Sequence, residues 1–218
     1  MKTIKLLLVA TLILAGVSLK AQDNPFTFGV KAGVNMSSVT GDDDGTKVRF
    51  GYNIGVTVDY AINQDWYILS GLQYTTKGTN LDKIGSIKPS MHAAYLQLPI
   101  HAAYKLEVAP ETKLVFHAGP YLAYGINGKS KLGLNDDVEV DIEGIEDLEG
   151  LVNSLLNKKT NTFDTFKRFD AGLGLGIGAE FGKIALDLGW DFGLVNIVDK
   201  GDGTIRNANA YLTVGYKF

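Results

Sequence analysis

The sequence predicts an all-β fold: an eight-stranded, antiparallel, up-and-down transmembrane β-barrel with a short helix in its third long outer loop. Three observations lead there. Apolar and polar residues alternate with period two over stretches of about ten residues, as strands with two unlike faces require. Short and long connections alternate between those stretches, and glycine is placed rather than scattered, 26 of 218 residues.

The first two strands are Phe26–Ser37, with Phe28, Val30, Ala32 and Val34 on one face, and Arg49–Tyr60, with Tyr52, Ile54, Val56 and Val58. Trp66–Lys77 follows with Trp66, Ile68, Leu72 and Tyr74, interrupted by Ser70. Ala94–Lys105 aligns Leu96, Leu98, Ile100 and Tyr104, and Leu114–Ile126 aligns Phe116, Pro120, Leu122 and Tyr124. Arg168–Phe181 is the clearest: Phe169, Leu173, Leu175 and Ile177 face one way, Asp170, Gly172, Gly174, Gly176, Gly178 and Glu180 the other. A helix would mix those sets. Ile184–Val195 and Asn209–Phe218 complete the series.

The connections Ala61–Asp65, Glu107–Lys113 and Gly182–Lys183 are short, whereas Ser38–Val48, Gly78–Ala93, Asn127–Lys167 and Asn196–Ala208 are long. With both termini on one side, every short link falls on that side, the arrangement of outer-membrane barrels. A soluble barrel also alternates, but with its apolar face inward. Alternate glycines beside charged residues fit a narrow, side-chain-filled lumen, whereas on a solvent face they would only weaken the strand. Aromatics near strand ends (Phe50 and Tyr60, Trp66 and Tyr74, Phe116 and Tyr124, Phe169 and Phe181) suit two interfacial girdles. The expected orientation is therefore apolar face to lipid.

Residues 1–21 read as a signal peptide: Lys2 and Lys5 precede an apolar run from Leu6 to Leu19, with cleavage expected after Ala21, leaving a barrel of residues 22–218. Removing Lys2, Lys5 and Lys20 takes basic residues from 21 to 18 against 24 acids, so net charge moves from −3 to −6. An acidic chain is a poor nucleic-acid binder. With no cysteine, disulfide scaffolds, thiol nucleophiles, Cys-ligated metals and lipoprotein anchoring are excluded.

Several segments together resemble a known family. These are Phe28-Gly29-Val30-Lys31-Ala32-Gly33-Val34-Asn35, Tyr95-Leu96-Gln97-Leu98-Pro99, His117-Ala118-Gly119-Pro120-Tyr121 and the glycine strand Asp170–Glu180. In order and spacing they are similar to the PorT-like outer-membrane β-barrel proteins of Bacteroidota-type bacteria, which are OmpA-like eight-stranded barrels. The resemblance covers essentially the whole mature chain. It implies an outer-membrane location, and the family's namesake is linked to protein secretion across that membrane. The final Tyr216-Lys217-Phe218 is similar to the signal read by barrel-assembly machinery.

Candidate chemistry is sparse. Gly174-Leu175-Gly176-Ile177-Gly178-Ala179 matches a dinucleotide fingerprint, but the glycines continue at period two within one strand, so lumen packing is the expected role. His101 and His117 share the polar face and become cross-strand neighbours if their hairpin turns near Ala109; two imidazoles could ligate a metal, but no third ligand is in register. His92 is expected at a loop edge. Asp42-Asp43-Asp44-Gly45 lacks the rest of a calcium loop. In the third long connection Leu132 and Leu134 read as a hairpin with Val138–Ile142. Ile145, Leu148, Leu151, Val152, Leu155 and Leu156 then follow helical spacing, either as a lid on the barrel mouth or as a docking surface. Inward charges are expected at Lys31, Arg49, Asp59, Lys77, Lys105, Arg168, Asp170, Glu180, Asp187, Asp191 and Lys217, paired into a network that closes the bore.

No catalytic, cofactor-binding or metal residues are assigned. The reading is a non-enzymatic outer-membrane barrel with a structural or binding role through its outer loops. Its partners would be outer-membrane lipid, the barrel-assembly machinery at the C-terminal strand and a protein at the outer loops, with no nucleic acid. The alternatives are an accessory component of outer-membrane secretion and a lipid-modifying enzyme.

Overall fold

The computed structural model describes residues 25–41, 46–81, 87–134, 162–164, 166–198 and 204–218. The leader (1–21), Asp42–Gly45, the return strand Val138–Ile142 and the helix read in residues 143–159 lie outside the described residues.

The strands are β1 (Phe26–Gly41), β2 (Thr46–Lys47), β3 (Arg49–Ala61), β4 (Trp66–Leu81), β5 (Ile87–Ala109), β6 (Thr112–Leu134), β7 (Phe169–Phe181), β8 (Ile184–Gly193) and β9 (Ile205–Lys217). The two-residue β2 pairs with the outer end of β4, just before β3. The other eight strands form a closed ring of antiparallel neighbours, sealed where β1 pairs with β9 from Gly29↔Lys217 to Gly41↔Ile205. Closure leaves no sheet edge, the condition for a strand to sit in hydrocarbon.

Apolar side chains face outward along every wall strand. Leu173, Leu175 and Ile177 of β7, Leu186 and Leu188 of β8, and Leu212 and Val214 of β9 are all exposed, while Asp170, on the opposite face of β7, is 0% exposed. A continuous apolar belt of this kind far exceeds the patches of a few hundred Å² that soluble monomers show. Aromatic pairs mark its rims. Phe26–Tyr60 (ring centroids 5.0 Å apart) and Trp66–Tyr104 (5.3 Å) lie at the end carrying both termini, with Tyr52–Tyr74 (6.0 Å) at the other. The predicted orientation and girdles are thus observed.

The inner connections are as short as the spacing predicts. Phe181↔Ile184 leaves a two-residue turn in which Gly182 takes φ +56°, a left-handed conformation that costs glycine nothing. The turn at Pro110-Glu111 puts a non-glycine residue there: Glu111 has φ 58°.

On the outer side the strands run further than the sequence suggests. β4 continues to Leu81, and β5 begins at Ile87 rather than Ala94, so the expected long connection Gly78–Ala93 is mostly wall. Leu132 and Leu134 pair with Pro89 and Ile87 across β5–β6, and the return strand expected opposite them lies outside the described residues. Non-local pairing satisfied backbone groups that a hydropathy pattern cannot assign. β5 and β6 have 23 residues each, against 13 and 10 for β7 and β8. At roughly 3.3 Å per residue and about 40° of tilt, a 23-residue strand rises roughly 30 Å beyond a membrane band of about 25 Å. The β5–β6 hairpin is therefore a structured projection on the outer side.

Three prolines sit inside these long strands, Pro89 and Pro99 in β5 and Pro120 in β6. Beside Pro120 the β5–β6 ladder skips from Pro99↔Tyr121 to Ala102↔Ala118, and beside Pro99 the β4–β5 ladder skips from Ser70↔Ile100 to Gln73↔Gln97. Proline brings no N–H to a ladder. The Ser70 hydroxyl, which had interrupted the apolar face of β4, donates to the Pro99 carbonyl at 2.8 Å.

Leu175 stands near mid-wall on the lipid face. Replacing it with Arg should destabilise the folded barrel by about 2–4 kcal/mol in lipid vesicles, read by reversible denaturant unfolding, whereas Leu175→Phe should change little.

Candidate functional site: a layered polar bore

The bore is built in layers. At the inner end Asp59 (β3), Lys105 (β5), Glu180 (β7) and Lys217 (β9) form a ring. Lys105 Nζ lies 2.6 Å from Asp59 Oδ2 and 2.8 Å from Glu180 Oε1, and Lys217 bridges the same two carboxylates. Two cations shared by two anions leave no net charge, which lets four ions be held in a narrow bore.

Above the ring lies a chamber of about 90 Å³. His117 Nε2 is 2.8 Å from Asp187 Oδ1, and His117 Nδ1 is 2.8 Å from His101 Nδ1; the two rings stack at 5.0 Å. The tautomers follow from counting protons. With Asp187 ionised and both rings neutral, His117 donates from Nε2 and accepts at Nδ1. His101 must then donate from Nδ1, which leaves its Nε2 a bare acceptor. That atom is buried and has no hydrogen-bond partner. Lys31 and Tyr211 line the same chamber, with Lys31 Nζ 5.8 Å from the Tyr211 ring.

The glycine face of β7 makes room for this row. A Cβ on Gly174 would stand 2.8 Å from His101 Nε2 and 2.9 Å from Asp191 Oδ1, and one on Gly176 would stand 2.5 Å from His117 Nε2. Gly178 lies against Asp187. Those glycines are a flat bed for the histidines and their acids. They lie inside one strand and open no helix, the context that a dinucleotide fingerprint requires.

The next layer joins Asp191 Oδ2 to Gln97 Nε2 (2.9 Å) and Asn209 Nδ2 (3.4 Å), with Asn35 donating to Asn209 Oδ1 (2.9 Å). Highest of the charged layers is Asp170, whose Oδ2 accepts from Lys77 (3.3 Å), Tyr121 (3.3 Å) and Asn207 (2.9 Å). Lys77 also lies 4.5 Å from the Tyr121 ring and 5.5 Å from the Tyr95 ring, a cation between two aromatic faces.

Over this layer sits an apolar cap. Ala93, Tyr95, Tyr121 and Ala123 cluster inside the mouth, and Phe163 packs on them from a 3-10 turn, Thr162–Asp164. The chain between β6 and β7 thus dips into the barrel just before β7 begins. A β-bulge where Ala94↔Asn127 gives way to Tyr95↔Gly125 shifts the wall at this level.

Most of the eleven predicted inward charges meet here. Asp59, Lys77, Lys105, Asp170, Glu180 and Lys217 are ion-paired, Asp187 holds His117 and Asp191 holds amides. Lys31 lines the chamber. Arg168 departs from the expectation of a carboxylate partner: its Nη1 donates to the Gly125 carbonyl at 3.0 Å and its guanidinium lies 4.8 Å from the Phe163 ring. Arg49 is half-buried toward the outer end of β3. His92 is half-buried within β5 rather than at a loop edge. Missed altogether were the amides Asn35, Gln97, Asn207 and Asn209 and the seat of Phe163. The amides share the period of the charges and were there to be found; a lone aromatic in a polar connection carries no such signal.

His101 and His117 are neighbours, as the hairpin implied, but their Nδ1 atoms are spent on each other. Among the described residues no three His, Asp or Glu side chains surround one metal-sized position.

A family model for the outer membrane protein β-barrel domain matches residues 20–199. The chain belongs to that family. Its place is the outer membrane, in agreement with the exposed apolar belt. No curated protein sequence matches it. Among solved structures it is similar to the Yersinia pestis attachment invasion locus protein Ail in complex with a heparin analogue, with 15% identity and a TM-score of 0.45 over 89% of this chain and all of that one. It is also similar to a major outer membrane protein from Thermus thermophilus (16%, TM-score 0.47, 89% of this chain and 100% of that one). A third is Neisserial surface protein A (16%, TM-score 0.44, 88% and 97%).

The inner ring gives a direct test. Asp59→Asn would leave two lysines on one carboxylate, and removing one member of a buried ion cluster costs about 3–5 kcal/mol. The unfolding free energy in detergent should fall by that order, and Asp59→Asn combined with Lys217→Met should recover much of it.

Proposed function

We propose that this protein is a non-enzymatic outer-membrane barrel whose work is done by the structured surface it holds outside the membrane. The supporting observation is its asymmetry. The inner end consists of tight turns, whereas the β5–β6 hairpin carries its ladder on to Ile87↔Leu134. The bore beneath spends its polar groups on one another in layer after layer, which favours a support over a conduit. Neither Ser37 nor Ser70 engages a histidine; their hydroxyls donate to the carbonyls of Gly78 (3.0 Å) and Pro99 (2.8 Å). An acyl-transfer site would need such a nucleophile beside its base.

In this reading residues 1–21 are removed on export, residues 22–218 form the barrel, and β9 with Phe218 is what the assembly machinery recognises. The resemblance to PorT-like barrels supports an alternative, an accessory component of outer-membrane protein secretion.

Two measurements bear on this. In intact cells a membrane-impermeant maleimide should label Lys131→Cys, while Lys183→Cys should react only after permeabilisation; the reverse pattern would turn the projection inward and end the proposal. Purified barrel should leave lipid A and phospholipids unaltered in mixed micelles. A lipid product that disappears with His117→Gln would establish an enzyme instead. Co-purification in mild detergent, lost on trimming residues 87–91 and 130–134, would identify the partner.

A further inference from the structure

The wall is least complete beside the histidine chamber. Both skipped stretches of ladder flank one segment of β5. Toward β4 the rungs stop between Ser70↔Ile100 and Gln73↔Gln97, and toward β6 between Pro99↔Tyr121 and Ala102↔Ala118. Pro99 and Pro120 bring no N–H to these positions. The other wall ladders pair residue for residue. The gap lies inside the apolar belt, between Tyr104 at the inner rim and the Tyr74↔Leu96 pair toward the outer one. Hydrocarbon offers a backbone group no partner. What bridges the strands here is the Ser70 hydroxyl, donating to the Pro99 carbonyl at 2.8 Å.

Behind this segment lies the chamber of about 90 Å³, and its lining is divided. On the side of the gap three apolar residues turn inward on consecutive strands, Leu69 of β4, Pro99 of β5 and Val115 of β6. From β1, Lys31 presents an ammonium 5.8 Å from the Tyr211 ring, and among the described residues it has neither an ion pair nor a hydrogen bond. Asp187 spends one oxygen on His117 while its side chain is still 23% exposed, and Asp191 lines the same space. A free ammonium and a free carboxylate oxygen thus stand at one pole, an apolar surface at the other, and lipid beyond it. A head group suited to this space accepts from Lys31 and donates to Asp187, as a hydroxyl does. An ionised head fits poorly, since two acids already face one unpaired ammonium.

We propose that the chamber takes the hydroxyl head of a single-chain amphiphile, which enters from the membrane through the broken rungs beside β5. Its tail stays along Leu72, Leu98 and Ile100 on the lipid face. Entry along the bore would instead break the ion ring from one end or the amide layer from the other. The outer-surface role proposed above is not needed for this, so either reading can fail without the other.

The sequence has no cysteine, so Val115→Cys places a single thiol on the chamber's apolar side. The reagent is a phospholipid carrying a methanethiosulfonate at the end of one acyl chain. In vesicles containing it, that thiol should react at least tenfold faster than Ala103→Cys. Ala103 is also buried on β5 but lies behind the intact rungs Tyr67↔Ala103 and Ala103↔His117. A charged, water-soluble methanethiosulfonate should label neither, and heat-modifiable gel mobility verifies that each variant is folded. Dodecanol should slow the lipid-borne reaction several-fold, dodecane should not, and Lys31→Met should abolish the alcohol's protection. Equal rates at the two positions, or faster labelling of Val115→Cys from the water side, would overturn entry through the wall. Protection by dodecane equal to that by dodecanol, or undiminished in Lys31→Met, would refute the head-group site. Stronger protection by ionised dodecanoate than by dodecanol would overturn the neutral head.

Discussion

A backbone N–H or C=O without a partner in hydrocarbon costs several kcal/mol, and the architecture follows from avoiding that cost. Eight strands close on themselves through β1 and β9, which fixes a narrow bore filled largely by side chains. Once closure is imposed, period-two alternation decides everything else. One set of residues must be acceptable to lipid and the other must satisfy itself inside. Even Pro99 in the wall obeys this rule, since the Ser70 hydroxyl engages its carbonyl where the ladder is broken.

The inward set solves its problem by stratification. A neutral ring of four ions, a histidine row, an amide layer, a lysine between tyrosines and an apolar cap succeed one another from inner to outer end. The layers differ in chemistry but share one device: bulk on one wall is met by its lack on another. Gly174 and Gly176 accept the imidazoles, and Gly172 leaves space for the Tyr121 ring. Substituting either side of such a pair should therefore disturb the other.

The barrel and its orientation were legible because closure and lipid impose a periodic signal, repeated eight times. The charges of the bore were legible for the same reason, residue by residue. The pairings were not, because Lys105 with Asp59 and Lys77 with Asp170 depend on which strands become neighbours and at what stagger. The outer extension of β5 and β6 was hidden too. Ile87–His92 and Lys129–Leu134 keep the ladder, but Pro89 in the one and the polar run Lys129–Lys131 in the other read as connection rather than strand. Phe163 was invisible because its role depends on a seat assembled from Tyr95, Gly125 and Arg168.

The long β5–β6 hairpin also bears on the order of assembly. Its strands meet across a two-residue turn at Pro110-Glu111, so their ladder can grow by adding rungs between residues already held close, with little loop entropy lost at each step. The seam between β1 and β9 joins residues from opposite ends of the barrel sequence and cannot form until the intervening strands have drawn those ends together. A chain of this shape should zip outward from one local nucleus, with the circle completed last, and a slow, late event in folding belongs to that final seam.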